Sequence, residues 1–146
     1  MRRKRVDFVT IKMVKEGSTL YDVRKVTNPE DGYNIFEPLL KDSDREKLVV
    51  CCLNTKNEPV NISIVSVGSL SSSVVTPREV FKTAILSNSA SILIAHNHPS
   101  GDTTPSKEDI NITLRLKESG KILGIPLLDH YIIGDKNVSL KEMDYI

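Results

Sequence analysis

Apolar positions follow two rhythms along this chain, a period of two in some stretches and of three to four in others. Residues 6–15 alternate partly, with Phe8, Val9, Ile11, Met13 and Val14 apolar, and read as a strand. Gly17 and Ser18 turn, and residues 19–26 read as a second strand. Thr27-Asn28-Pro29-Glu30 has the form of a helix start, an N-cap followed by proline at the first helical position. The helix it opens carries Tyr33, Ile35, Phe36, Leu39 and Leu40, with Pro38 straining its last turn. Polar residues 42–46 lead into Leu48-Val49-Val50-Cys51-Cys52-Leu53, a run apolar on both faces that predicts a central strand. Residues 55–58 turn, and residues 60–67 return beside it as the second arm of an antiparallel hairpin. Gly68 and the serines at 69, 71, 72 and 73 mark a bend and a loop.

Thr76-Pro77-Arg78-Glu79 has the spacing of a capping box and is the clearest of its kind in the chain. It predicts a helix whose core face is Val80, Phe81, Ala84, Ile85 and Leu86. Ser91-Ile92-Leu93-Ile94-Ala95 reads as a buried strand. A further helix is predicted from about Lys107 to Leu123, with Ile110, Ile112, Leu114, Leu116 and Ile122 apolar and Gly124 at its C-terminus. Residues 125–133 form another buried strand, and residues 134–137 turn into a short tail. Helices and strands alternating in this way imply an α/β layered fold, which places ligands at the C-terminal ends of its strands.

Composition narrows the function classes. The 146 residues suit one domain with a real core, and 39% hydrophobic with 27% charged residues fits a soluble globular protein. A net charge of +1 gives no overall pull towards nucleic acid or membrane. Arg2-Arg3-Lys4-Arg5 is the local exception; it reads as a solvated, disordered start, with contact to nucleic acid or an acidic partner as the alternative. No apolar run has transmembrane length, and residues 6–10 are too short and polar for a signal-peptide core, so a cytoplasmic location is expected. Cys51 and Cys52 are adjacent in a strand and point to opposite faces. They are expected to be small apolar residues in a reducing compartment, neither a chelating pair nor a disulfide.

The candidate chemistry lies in His96-Asn97-His98-Pro99-Ser100-Gly101-Asp102-Thr103-Thr104-Pro105-Ser106-Lys107-Glu108-Asp109. Two histidines leave the end of a buried strand with one residue between them, so both rings point to one side. Asp109 sits in the first turn of the following helix, within reach of them. Two imidazoles and a carboxylate are the three-ligand set of a catalytic zinc that keeps its fourth position for water. The bland alternative is that Ser106 and Asp109 only cap a helix and the histidines are polar loop residues.

His-x-His, seven residues, Ser, two residues, Asp resembles the signature of the JAMM (MPN+, or JAB) metalloproteases, and His96, His98, Ser106 and Asp109 fit it without a gap. The neighbouring words resemble the RadC-like bacterial branch: Pro77-Arg78-Glu79-Val80-Phe81, Ala95-His96-Asn97-His98-Pro99-Ser100-Gly101, Pro105-Ser106 and Leu128-Asp129-His130. The resemblance spans residues 28–146 and implies a curved mixed β-sheet flanked by helices, similar to that of cytidine deaminases. Residues 1–27 would then be a strand-forming extension. It implies one Zn²⁺ held by His96, His98 and Asp109, with an upstream glutamate as general base. Glu46 occupies that glutamate's place; Glu79 is the other candidate, and its capping position explains it without catalysis. Ser106 would donate to the tetrahedral oxyanion, and the reaction would be hydrolysis of a peptide or isopeptide amide in a protein substrate. Asn97, Pro99 and Gly101 are expected to shape the loop. His130 is left outside the metal set, either beside the site or as a satisfied core histidine.

One departure from the family bears on partners. Full-length RadC-like proteins carry an N-terminal helix-hairpin-helix, a DNA-contact module; this chain has too little sequence before residue 28 for one, which weakens a DNA-repair role. Three competing readings fare less well. His96-Asn97-His98 spells HNH, but the further residues and ββα unit of an HNH nuclease are not found. A zinc deaminase needs a spaced cysteine pair, which Cys51-Cys52 is not. A non-catalytic binding module of the same fold has no reason to keep a full ligand set.

Overall fold

Six consecutive apolar residues, 48–53, give β1 (Lys47–Leu53) no face to turn to water, and all six are buried. They alternate between two apolar layers, Leu48, Val50 and Cys52 in one and Val49, Cys51 and Leu53 in the other. A strand buried in this way needs a neighbour on each edge. β2 (Pro59–Val67) and β3 (Ser91–Asn97) supply them, both antiparallel to β1. β3 runs parallel to β4 (Leu127–Ile133), and the two-residue β5 (Val138–Ser139) closes antiparallel on β4. Among the described residues the sheet is thus mixed and five-stranded, in the order β2-β1-β3-β4-β5. This is a computed structural model, and it describes residues 1–71 and 73–146; Ser72 of the serine-rich loop lies outside the described residues.

Helices cover both faces. α1 (Pro29–Leu40) sets Ile35, Phe36 and Leu40 on one, against Val49, Leu93, Ala95 and Tyr131. α2 (Pro77–Leu86) and α3 (Lys107–Leu123) cover the other with Val80, Phe81, Ala84, Ile112 and Leu116. The expected α/β class, a mixed sheet flanked by helices, is the one the chain adopts. α1 starts where Asn28 accepts the Asp31 N–H at 3.0 Å, and it runs through Pro38 because Leu40 beyond it is fully buried. α3 ends at Gly124, whose φ of 72° is the left-handed conformation that suits glycine. The strand expected from residue 125 begins at Leu127. Ile125 gives its N–H to the Gly120 carbonyl at the helix end, and Pro126 has none to give.

Three local expectations are overturned. Ile85 and Leu86, expected on the core face of α2, lie exposed. The strands predicted over residues 6–15 and 19–26 do not form. Alternation favours a strand only where a neighbour offers a ladder and a buried face, and Phe8, Val9, Ile11, Val14 and Leu20 lie exposed. Tyr21, Val23 and Val26 instead lean on the α1-side core, and Val26 donates its N–H to the Asn57 carbonyl at 2.9 Å. The capping box expected at Thr76 and Glu79 is also absent, for Thr76 makes no side-chain cap and Glu79 turns outward to Lys82 at 3.1 Å. Proline and an extended N-cap start α2 without it. Among the described residues, no helix is long and apolar enough to cross a membrane.

Burial predicts a sharp contrast between two phenylalanines. Phe81→Ala, in the layer between α2 and the sheet, should cost about 3–5 kcal/mol in urea unfolding, whereas Phe8→Ala should change stability by less than about 0.5 kcal/mol. A large loss from Phe8→Ala would mean that the N-terminal arm is docked.

Candidate metal centre

β3 ends where its alternation meets the start of α3. Ile92 and Ile94 face the α2 and α3 layer, and His96 follows them on that side at 0% exposure. His98 lies one residue past the strand, its N–H continuing the parallel ladder to the Ile133 carbonyl at 2.9 Å. The chain then turns, Gly101 donating to the His98 carbonyl at 2.9 Å. At Gly101 φ is 90°, a conformation L side chains rarely adopt, and a Cβ there would press on the Asp135 carboxylate, so the turn favours glycine. This turn delivers the Asp102 carbonyl to His98 Nδ1 at 2.7 Å.

Asp109 reaches the same point from α3. The Ser106 hydroxyl accepts the Asp109 N–H at 3.0 Å, and Asp109 Oδ2 accepts the Ser106 N–H at 2.9 Å. This reciprocal capping box also aims the carboxylate at the two rings, so capping the helix and placing Asp109 beside the histidines are one feature. His96 Nε2 lies 3.3 Å from Asp109 Oδ1, His98 Nε2 lies 3.2 Å from Oδ2, and the two Nε2 atoms are 3.0 Å apart. The three side chains offer one ligand atom each, all within 4.8 Å of one another, and could hold a metal ion.

The donor set suits a divalent metal ion. A carbonyl oxygen only accepts, so His98 Nδ1 must donate to Asp102, and the neutral ring turns a lone pair at Nε2 towards the other two ligands. Two imidazole nitrogens 3.0 Å apart need a proton or a cation between them. The hydrogen bond to Asp109 raises His98 above the ordinary imidazole pKa. Burial pushes the Asp109 carboxyl up, but the two imidazole rings beside it outweigh burial and hold the group well below the usual carboxylate range. Anionic carboxylate and clustered imidazoles are the charge pattern a dication completes.

A cleft of about 570 Å³ opens beside the cluster, and Glu46, His98, Ser106 and Asp109 all line it. Glu46 sits just before β1, its Oε2 accepting the Leu70 N–H at 3.1 Å and its carbonyl the Gly68 N–H at 2.7 Å. Asn97, between the two histidines, points to the other side of β3. It accepts the Lys47 N–H at 2.8 Å and donates to the Arg45 carbonyl at 2.9 Å. One strand end therefore presents two imidazoles and also clamps the segment that carries Glu46. Glu79 is not in the cleft; it lies on α2, half-exposed and paired with Lys82. The Ser106 hydroxyl accepts from Asp109, which leaves its own hydrogen to donate towards the cleft. Cys51 and Cys52 are buried free thiols on β1, outside the ligand cluster, and burial raises the Cys51 pKa to about 12.

His130, on β4, is fully buried, and its Nε2 lies 2.7 Å from His96 Nδ1. Its Nδ1 lies 2.6 Å from Thr113 Oγ1, on α3. Burial holds this ring well below the ordinary imidazole pKa. Sequence reading left His130 between two roles and passed over Thr113 altogether. The available signal was spacing, since Thr113 stands four residues after Asp109 on the same helix face.

The RadC-like JAB domain profile matches residues 26–145 of the chain. A UPF0758 protein of Clostridium beijerinckii is 58% identical over 123 residues, 84% of this chain and 54% of that protein. One of Clostridium botulinum (strain Hall) is 58% identical over 119 residues, 81% of this chain and 52% of that protein. A UPF0758 protein of Methanosarcina barkeri is 48% identical over 124 residues, 84% of this chain and 54% of that protein. The chain spans about half the length of the curated relatives it matches. With 26–145 matched and β3, α3 and the His96, His98 and Asp109 cluster inside that span, the chain belongs to the RadC-like JAB domain family.

Proposed function

We propose that the protein is a zinc-dependent metallopeptidase that hydrolyses a peptide or isopeptide amide. The observation that carries this reading is the convergence of His96, His98 and Asp109 beside a cleft that Glu46 and Ser106 also line. A zinc ion on those three ligands supplies Lewis acidity that brings the pKa of a water towards neutrality. Glu46 takes the proton of the attacking water and passes it to the leaving amine nitrogen. The hydrogen bond from Leu70 N–H engages one carboxylate oxygen and leaves the other to work as the base. Ser106 donates its hydroxyl hydrogen to the oxygen of the scissile carbonyl as that oxygen becomes anionic. Asn97 holds the backbone on either side of Glu46, so the base keeps its place relative to the ligands.

Purified protein equilibrated with zinc should carry about one ion per chain, and His96→Ala or Asp109→Ala should abolish it in elemental analysis after dialysis. Glu46→Gln should keep that ion and lose roughly a hundred- to ten-thousand-fold in cleavage of quenched peptides or lysine isopeptides. Unimpaired cleavage by Glu46→Gln would remove Glu46 from the reaction, and ligand-dependent cleavage of nucleic acid in place of amides would overturn the peptidase reading.

The raised pKa of His98 gives a pH test. A group raised on folding contributes stability fully present below its unfolded value, about 6.5 for histidine, and lost as pH rises through the folded value. The melting temperature of metal-free protein should therefore fall over that rise, and less so in His98→Ala. Zinc competes with the proton on the same nitrogen, so its stabilising increment should grow across the same interval. A pH-independent zinc increment would show that His98 is not a ligand.

A further inference from the structure

A chain of buried hydrogen bonds leaves the metal centre at His96 and returns to it at Asp109. It runs from His96 Nδ1 to His130 Nε2 at 2.7 Å, from His130 Nδ1 to Thr113 Oγ1 at 2.6 Å, and from Thr113 Oγ1 to the Asp109 carbonyl at 2.6 Å. Its direction follows from what each atom can give. The Asp109 carbonyl has no hydrogen, so Thr113 must donate to it; otherwise two oxygens would meet at 2.6 Å with nothing between them. The single hydroxyl hydrogen is thereby spent, and Thr113 Oγ1 can only accept from His130 Nδ1–H. A neutral His130 protonated at Nδ1 has a bare Nε2, which can only accept from His96 Nδ1–H. His96 then holds its hydrogen on Nδ1 and presents a lone pair at Nε2, the atom 3.3 Å from Asp109 Oδ1.

We infer that His130 and Thr113 are positioning residues that fix the tautomer and ring orientation of His96, so that Nε2 arrives ready to bind a metal. The inference deepens the metallopeptidase reading and rests on it only for the identity of the ligand. Both histidines of the centre are then locked from behind, by different means. His98 is held by the Asp102 carbonyl, and His96 by a second imidazole whose own state is set by a helix hydroxyl. The two sources differ in what they exclude. A carbonyl can never present a hydrogen, whereas His130 would present one from Nε2 if Thr113 did not hold its other nitrogen. In that state His96 would accept at Nδ1 and aim an N–H at the metal position, where it blocks coordination. Asp109 gains from the same chain, because its carbonyl is tied by Thr113 while its carboxylate is aimed by Ser106. His96 and the two intervening side chains, His130 and Thr113, are fully buried, so water has no place in the sequence of donors.

The test has two independent arms. In nitrogen NMR of the metal-free full chain, above the ordinary imidazole pKa of about 6.5, His130 and His96 should both carry hydrogen on Nδ1 and none on Nε2. Hydrogen on Nε2 of His130 overturns the inference. In chelator competition, Thr113→Val should weaken zinc binding about 10- to 100-fold and move the His130 hydrogen to Nε2, while Thr113→Ser restores both. A merely structural role for Thr113 would lower stability without moving that hydrogen, and equal zinc affinity in Thr113→Val and wild type overturns the inference. If Thr113→Val does not fold, the wild-type spectrum decides. If the wild type takes up no zinc, the metallopeptidase reading fails, and the relay stands or falls on the same spectrum.

Discussion

A carboxylate at 5% exposure and an imidazole at 0% exposure meet in this protein with little solvent to screen them. Leaving such groups unpaired costs several kcal/mol each, so the rest of the site is arranged around satisfying them. Asp109 receives the Ser106 N–H and faces both rings; His96 is held by His130, and His130 by Thr113. The satisfied network has one demand left over, a cation or proton between the two Nε2 atoms 3.0 Å apart. The fold thus creates a position whose electrostatics call for positive charge.

The sheet makes this arrangement affordable in space. β3 is the strand that pairs antiparallel with β1 on one side and parallel with β4 on the other. Its end therefore brings Glu46 from the start of β1 and His130 from within β4 to the two histidines. α3 departs from the same end, and its capping box brings Asp109 and Ser106. The candidate ligands, Glu46 and Ser106 come from strand ends and a helix start, His130 and Thr113 back them from within β4 and α3, and the buried run 48–53 anchors the sheet to the core.

Much of this was legible in the sequence because the strongest signals are local. A run of six apolar residues has no alternative to a central strand, and Ser106 with Asp109 carries its cap spacing openly. His-x-His at a strand end needs only the pleat to bring its rings to one side. The failures share a cause too. Residues 6–15 alternate like a strand but have no neighbour to pair with, and pairing is not written in a single stretch. Thr76 and Glu79 have the capping-box spacing, yet proline already sets the helix start and Lys82 draws the glutamate away. Spacing from Asp109 is the only local trace of Thr113, and its link to His130 gains meaning only when α3 packs against β4.

The central claim is that His96, His98 and Asp109 form one ligand set for a metal with a position left for solvent. The most direct measurement is a crystal structure of the zinc-loaded protein, with anomalous scattering at the zinc edge. The account predicts a single peak bonded to Nε2 of His96, Nε2 of His98 and a carboxylate oxygen of Asp109, with one further oxygen from solvent completing a tetrahedron. Zinc bound elsewhere, or a fourth protein ligand closing the tetrahedron, would contradict it.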